Sequence, residues 1–125
     1  MEILGIDHIQ IAMPANGEDL ARKFYGELLG LVEIDKPAEL ASRGGCWFKL
    51  DGFGIHLGVD EDFRPARKAH PAFAVTDLDA LKTKMTAAGV QIKIDPATSN
   101  TKRFHAQDPF GNRLEFIQDG GRSSN

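Results

Sequence analysis

Alternating and helical patterns follow one another twice along this chain. Within residues 3–13, Ile9, Ile11 and Met13 fall on one face of an extended segment, with His8 and Gln10 on the other. Pro14 and Gly17 end that strand. Over residues 18–29, Leu20, Ala21, Phe24, Leu28 and Leu29 share one side, which predicts an amphipathic helix stopped by Gly30. Residues 31–35 read as a second strand, and residues 36–43 as a short helical turn after Pro37. Residues 46–50 and 53–59 read as a hairpin closed by Asp51-Gly52.

The second half repeats this order. Residues 70–76 read as a strand. Asp77 is a good N-cap, and Leu78, Leu81, Met85 and Ala88 follow at helical spacing up to Gly89. Strands are predicted over 90–94, 102–107 and 113–118, the last two joined by the turn Asp108-Pro109-Phe110-Gly111-Asn112. The expected architecture is α+β, with two βαβββ modules in tandem. Module one covers residues 3–59, a polar connector 60–69, module two 70–118, and a polar tail 119–125 that is expected to be disordered.

The repetition extends to chemistry. His8 and His70 both stand near the start of an alternating segment. His56 and Glu115 occupy like positions in the last strand of each half, between large apolar neighbours. A carboxylate flanked by Leu114 and Phe116 is costly to bury unpaired, which favours a ligand role. Imidazole and carboxylate together suit Zn, Ni, Fe, Mn or Co. The expected metal set is therefore His8, His56, His70 and Glu115, contributed by both modules. For His56 three readings stand side by side: ligand, general base near the substrate, and structural residue.

Charge and composition narrow the class. The chain has 125 residues, 42% hydrophobic and 26% charged, with 15 Lys+Arg against 18 Asp+Glu and a formal net charge of −3. This argues against a nucleic-acid partner. No apolar run reaches the length needed to cross a bilayer. The opening Met1-Glu2-Ile3-Leu4 runs straight into a strand pattern without the marks of a secretory signal. The single Cys46 excludes an internal disulfide and reads as a small buried residue. A cytoplasmic protein is expected.

Three stretches, taken in order, resemble the vicinal oxygen chelate superfamily: Asp7-His8-Ile9, Leu28-Leu29-Gly30-Leu31 after Phe24-Tyr25, and the closing run from Asp108 to Phe116. That superfamily includes glyoxalase I, fosfomycin-resistance thiol transferases, bleomycin-resistance proteins and extradiol dioxygenases. The resemblance spans roughly residues 3–118. It implies curved mixed sheets around a cavity, a divalent metal, a small-molecule substrate and a homodimer. It places metal ligands at His8, His70 and Glu115. His56 stands where glyoxalase I usually has Glu or Gln.

The implied function is a metal-dependent lyase, isomerase, transferase or dioxygenase. It would act on a small oxygen-rich, anionic substrate, with His56 and Glu115 as catalytic residues. The alternatives are a binding protein of the bleomycin-resistance type without turnover, and a small extradiol-type dioxygenase. Gln10, Trp47, Phe63, Arg64, Arg103 and His105 are the expected substrate-facing residues. Arg43 and Lys68 are further candidates to meet an anion, although each of these cations also reads as an ordinary solvated charge.

Overall fold

The computed structural model describes residues 1–94 and 102–120. The stretch 95–101 of module two and the expected tail beyond Gly120 lie outside the described residues. The chain forms two compact units, Met1–Pro65 and Ala66–Asn125, and their division falls inside the polar connector.

The first unit has β1 (His8–Met13), a helix, β2 (Val32–Ile34), a 3-10 segment (Ala38–Arg43), β3 (Cys46–Leu50) and β4 (Phe53–Val59). Its sheet order is β1-β4-β3-β2. β1 runs parallel to β4, and β3 antiparallel to both β4 and β2. Alternation gives the sheet two unlike faces. Ile11, Met13, Cys46, Phe48, Ile55 and Leu57 are buried on one. Tyr25 of the helix packs there, its ring 6.0 Å from that of Phe48.

That helix departs from the expected α-helix over 18–29. Only Glu18–Ala21 (α1) is α-helical, and Arg22–Leu28 winds as a π-helix. Leu29 N–H reaches back to Phe24 O at 2.9 Å, and Leu31 N–H to Tyr25 O at 3.0 Å. The wider turn narrows the angle between consecutive side chains, so the adjacent Phe24 and Tyr25 both enter the core, 5% and 0% exposed. A periodicity argument assumes 3.6 residues per turn and cannot anticipate this.

The second unit repeats the plan with β5 (Ala72–Val75), α2 (Leu78–Ala87), β6 (Ile92–Lys93), β7 (Arg103–Gln107) and β8 (Arg113–Gln118). The order β5-β8-β7-β6 mirrors the first sheet. Asp77 caps α2, accepting from Ala80 N–H at 3.0 Å. Leu78, Met85, Phe104, Ala106, Leu114 and Phe116 form the core of this unit. β6 is only two residues long, shorter than the expected strand over 90–94. Among the described residues no helix is long and apolar enough to cross a membrane.

Candidate functional site

Each sheet buries one face and leaves the other for chemistry. In the second unit the antiparallel pairing of β7 with β8 sets His105 opposite Glu115 and Gln107 opposite Arg113. Arg103, His105, Arg113 and Glu115 therefore share the face away from Phe104 and Phe116. The register is pinned by the turn. Asp108 Oδ1 accepts from Phe110 and Asn112 N–H, both at 2.9 Å, and its Oδ2 accepts from Asn112 Nδ2 at 2.9 Å. Asn112 Oδ1 in turn accepts from Ala66 N–H at 2.9 Å. Both side chains are buried, and their bonding satisfies them. Asp108 and Asn112 thus shape the turn, as their turn chemistry predicts.

Glu115 is the centre of a compact ion network. The residue is 6% exposed. Oε1 meets His70 Nε2 at 2.9 Å and His105 Nε2 at 3.3 Å, and Oε2 accepts from Arg103 Nη1 at 2.8 Å. Burial pushes the Glu115 carboxyl up, but the His70 hydrogen bond and the Arg103 charge outweigh it, and its pKa falls below the ordinary value. Burial, followed by the Arg113 charge, lowers the pKa of His105, which favours the neutral ring that a metal requires.

His70 shows how the network is poised. Its Nδ1 lies 2.8 Å from Lys68 O. A carbonyl only accepts, so Nδ1 donates to it, and Nε2 is the ring nitrogen turned to the Glu115 carboxylate. A backbone carbonyl that fixes the tautomer is also how metal-binding histidines are commonly oriented. Donor atoms of His70, His105 and Glu115 all lie within 4.8 Å of one another, so the set fits a divalent ion.

The first unit builds a different face on the same plan. His56 lies between two rings. Trp47 stacks on it at 3.8 Å with planes 4° apart, and His8 at 4.2 Å with planes 17° apart. The pairings Gln10–His56 and Trp47–His56 put Gln10, Trp47 and His56 on one face. Gly54 and Gly58 flank His56 and leave room: a Cβ at Gly58 would come within 2.6 Å of the Gln10 amide, and one at Gly54 within 3.1 Å of the His56 ring. His8 Nδ1 is held by Asp7 Oδ1 at 2.8 Å, which leaves Nε2 open. His56 is buried, and its Nδ1 has no hydrogen-bond partner among the described residues. Burial first, then the neighbouring His8, lowers its pKa, which favours the neutral ring.

Of the four expected ligands, His8 stacks on His56 within the first unit, and His70 meets Glu115 within the second. His105, read from sequence as a substrate-facing residue, stands beside Glu115 and completes a three-donor set. The signal was present in the chain: residues counted outward from the 108–112 turn pair His105 with Glu115. Of the other candidates, Trp47 packs on His56, Arg103 pairs with Glu115, Phe63 is half-buried, and Arg64, Arg43 and Lys68 are exposed. Cys46 is buried, and burial, reinforced by the Glu33 charge, pushes its thiol up to about 11, which makes it a poor nucleophile.

The model of the glyoxalase/bleomycin resistance protein/dioxygenase superfamily matches residues 5–116. A crystal structure of a glyoxalase-family protein from Bacillus anthracis is 48% identical, with a TM-score of 0.89 over 95% of this chain and 98% of that one. A glyoxalase/dioxygenase from Nostoc punctiforme is 26% identical, with a TM-score of 0.74 over 93% and 91%. A lactoylglutathione lyase from Agrobacterium tumefaciens is 19% identical, with a TM-score of 0.71 over 94% and 96%, and shares the fold. No curated protein matches the sequence.

Proposed function

Because this chain belongs to the glyoxalase/bleomycin resistance protein/dioxygenase superfamily, we propose that it is a divalent-metal-dependent, glyoxalase-like enzyme acting on a small, oxygen-rich, anionic substrate. One observation carries the reading: His70, His105 and Glu115 offer three donor atoms within 4.8 Å of one another. Two imidazoles and one carboxylate would hold the ion and leave positions open to a pair of substrate oxygens. The ion, when bound, supplies Lewis-acid stabilisation of a developing oxyanion.

The chain's own residues do the rest. Arg103 holds Glu115 Oε2, which leaves Oε1 directed at the two histidines. The carbonyl of Lys68 keeps His70 Nε2 turned inward. His56, whose neutral ring burial favours, is the proposed proton acceptor of the first unit, with Trp47 and His8 fixing its ring. His8 remains a proposed donor, its Nε2 left open by Asp7. A homodimeric, cytoplasmic protein belongs to the same proposal.

A second reading has its own support. The Glu115 network is electrically satisfied by Arg103 and the histidines, an arrangement that suits a binding protein without metal or turnover. A bidentate oxygen ligand separates the two. Acetohydroxamate is expected to bind nickel- or zinc-loaded protein and to lose binding when the ion is removed by chelation. Binding unchanged by chelation would overturn the enzyme reading in favour of the binding protein.

A further inference from the structure

The second unit has a cavity of about 690 Å³, within the range of small-molecule sites. Its lining is unlike the net charge of the chain. Arg67, Lys93 and Arg113 border it, with Gln107, Ile92 and His105. Among the described residues no carboxylate lines it, and none of the three cations has an acidic partner there. Three cations without an acidic partner among the described residues, on an acidic chain, are a local feature that needs a reason.

The fold explains how they meet. Gln107 pairs with Arg113 across β7 and β8, and Lys93 pairs with His105 across β6 and β7. Antiparallel partners share a face, so these pairs bring Arg113 and Lys93 to the chemical face of the sheet. Arg67 comes from the segment just before β5, where its carbonyl accepts from Arg113 Nη1 at 3.4 Å and its neighbour Ala66 accepts from Arg113 N–H at 2.8 Å. His105 belongs both to this lining and to the donor cluster with Glu115. A ligand in the cavity therefore lies beside the donor atoms.

We propose that this cavity is an oxyanion subsite in which Arg67, Lys93 and Arg113 bind the phosphate, phosphonate or carboxylate end of the substrate. Guanidinium groups match such oxyanions with paired N–H donors, and Lys93 adds a point charge. Gln107 can bind a further oxygen, while Ile92 supplies an apolar wall. The subsite narrows the proposed function to substrates with a terminal anion near the oxygens that meet the metal. It rests on that reading only for the direction of the reacting end, because anion capture by these cations needs no metal.

The test is calorimetric titration of chelator-treated protein, at fixed ionic strength, with inorganic phosphate, acetate and neutral acetamide. Saturable binding of phosphate or acetate and none of acetamide is expected. Phosphate tighter than acetate assigns a phosphoryl or phosphonyl end, and equal binding assigns a carboxylate. The double variant Arg67→Gln/Lys93→Gln alters exposed side chains and should weaken anion binding about tenfold. Absence of anion binding to the wild type, equal binding of acetamide, or unchanged affinity in the double variant would each overturn the proposal. Anion binding in a protein that takes up no metal would leave the subsite standing and remove the metal-dependent reading alone.

Discussion

The two units use one backbone plan for opposite chemistry. In both, the last strand lies between a parallel partner and an antiparallel one. His56 and Glu115 stand at matching points of that strand, and across the antiparallel pairing Trp47 answers to His105. Following the same registers, Gly54 stands where the second unit has Arg113. The first unit fills its face with stacked rings and glycines. The second fills it with a buried carboxylate, two histidines and arginines. The sheet therefore specifies where functional side chains go and leaves their kind to a few positions. Stacked rings hold by dispersion and shape. The ionic cluster holds only while every charge has a partner, because a buried carboxylate without one is costly.

This difference predicts unequal responses to mutation. The largest effect is expected at the turns. Asp108→Ala in the second unit removes the acceptor of three hydrogen bonds and should cost about 3 kcal/mol. Asp51→Ala, at an exposed position of the matching turn, should cost no more than about 0.5 kcal/mol. Urea unfolding of both variants checks this, and equal losses would break the comparison. Next comes the pair Trp47 and His105. His105→Phe should weaken divalent-metal binding at least about tenfold, whereas Trp47→Phe should leave it unchanged. Competition against a coloured chelator reads both.

A smaller effect is expected on acidification. Glu18 Oε2 accepts from Gly45 N–H at 2.7 Å, and this bond is the main reason its pKa lies below the ordinary value. A carboxyl lowered on folding adds stability above its unfolded pKa and loses it as the pH falls through the folded one. Glu115 acts in the same direction. His56 and His105, also lowered on folding, begin the loss at higher pH because the unfolded chain takes up their protons first. Stability should therefore decline stepwise from below neutrality into the acid range. Glu18→Gln should flatten only the carboxylate part of the curve, as urea midpoints against pH would show. The smallest effect concerns Cys46. With its thiol near 11 and 1% of the residue exposed, iodoacetamide should label the native protein far more slowly than the urea-unfolded chain. Mass spectrometry reads the difference.

Much of this was legible in the chain because it depends on local pattern. The order of strands and helices follows from alternation, spacing and the stops at Gly30 and Gly89, both at positive φ. His8, His70 and Glu115 stood out because a repeated unit carried them to like positions. What escaped depends on pairing across strands. The closeness of His105 to Glu115 and the gathering of Arg67, Lys93 and Arg113 around one cavity need a register, and only a fixed turn supplies it. The π-helical Arg22–Leu28 escaped for another reason: it buries the adjacent Phe24 and Tyr25 together, which no 3.6-residue period reveals.

The central claim is that the second unit holds a divalent ion on His70, His105 and Glu115. Its most direct test is elemental analysis of metal per chain after reconstitution with zinc, nickel, cobalt, manganese or iron, comparing wild type with Glu115→Gln and His56→Gln. The expected result is near-stoichiometric metal in the wild type, lost in Glu115→Gln and retained in His56→Gln. Absence of metal uptake by the wild type, or full occupancy in Glu115→Gln, would contradict it.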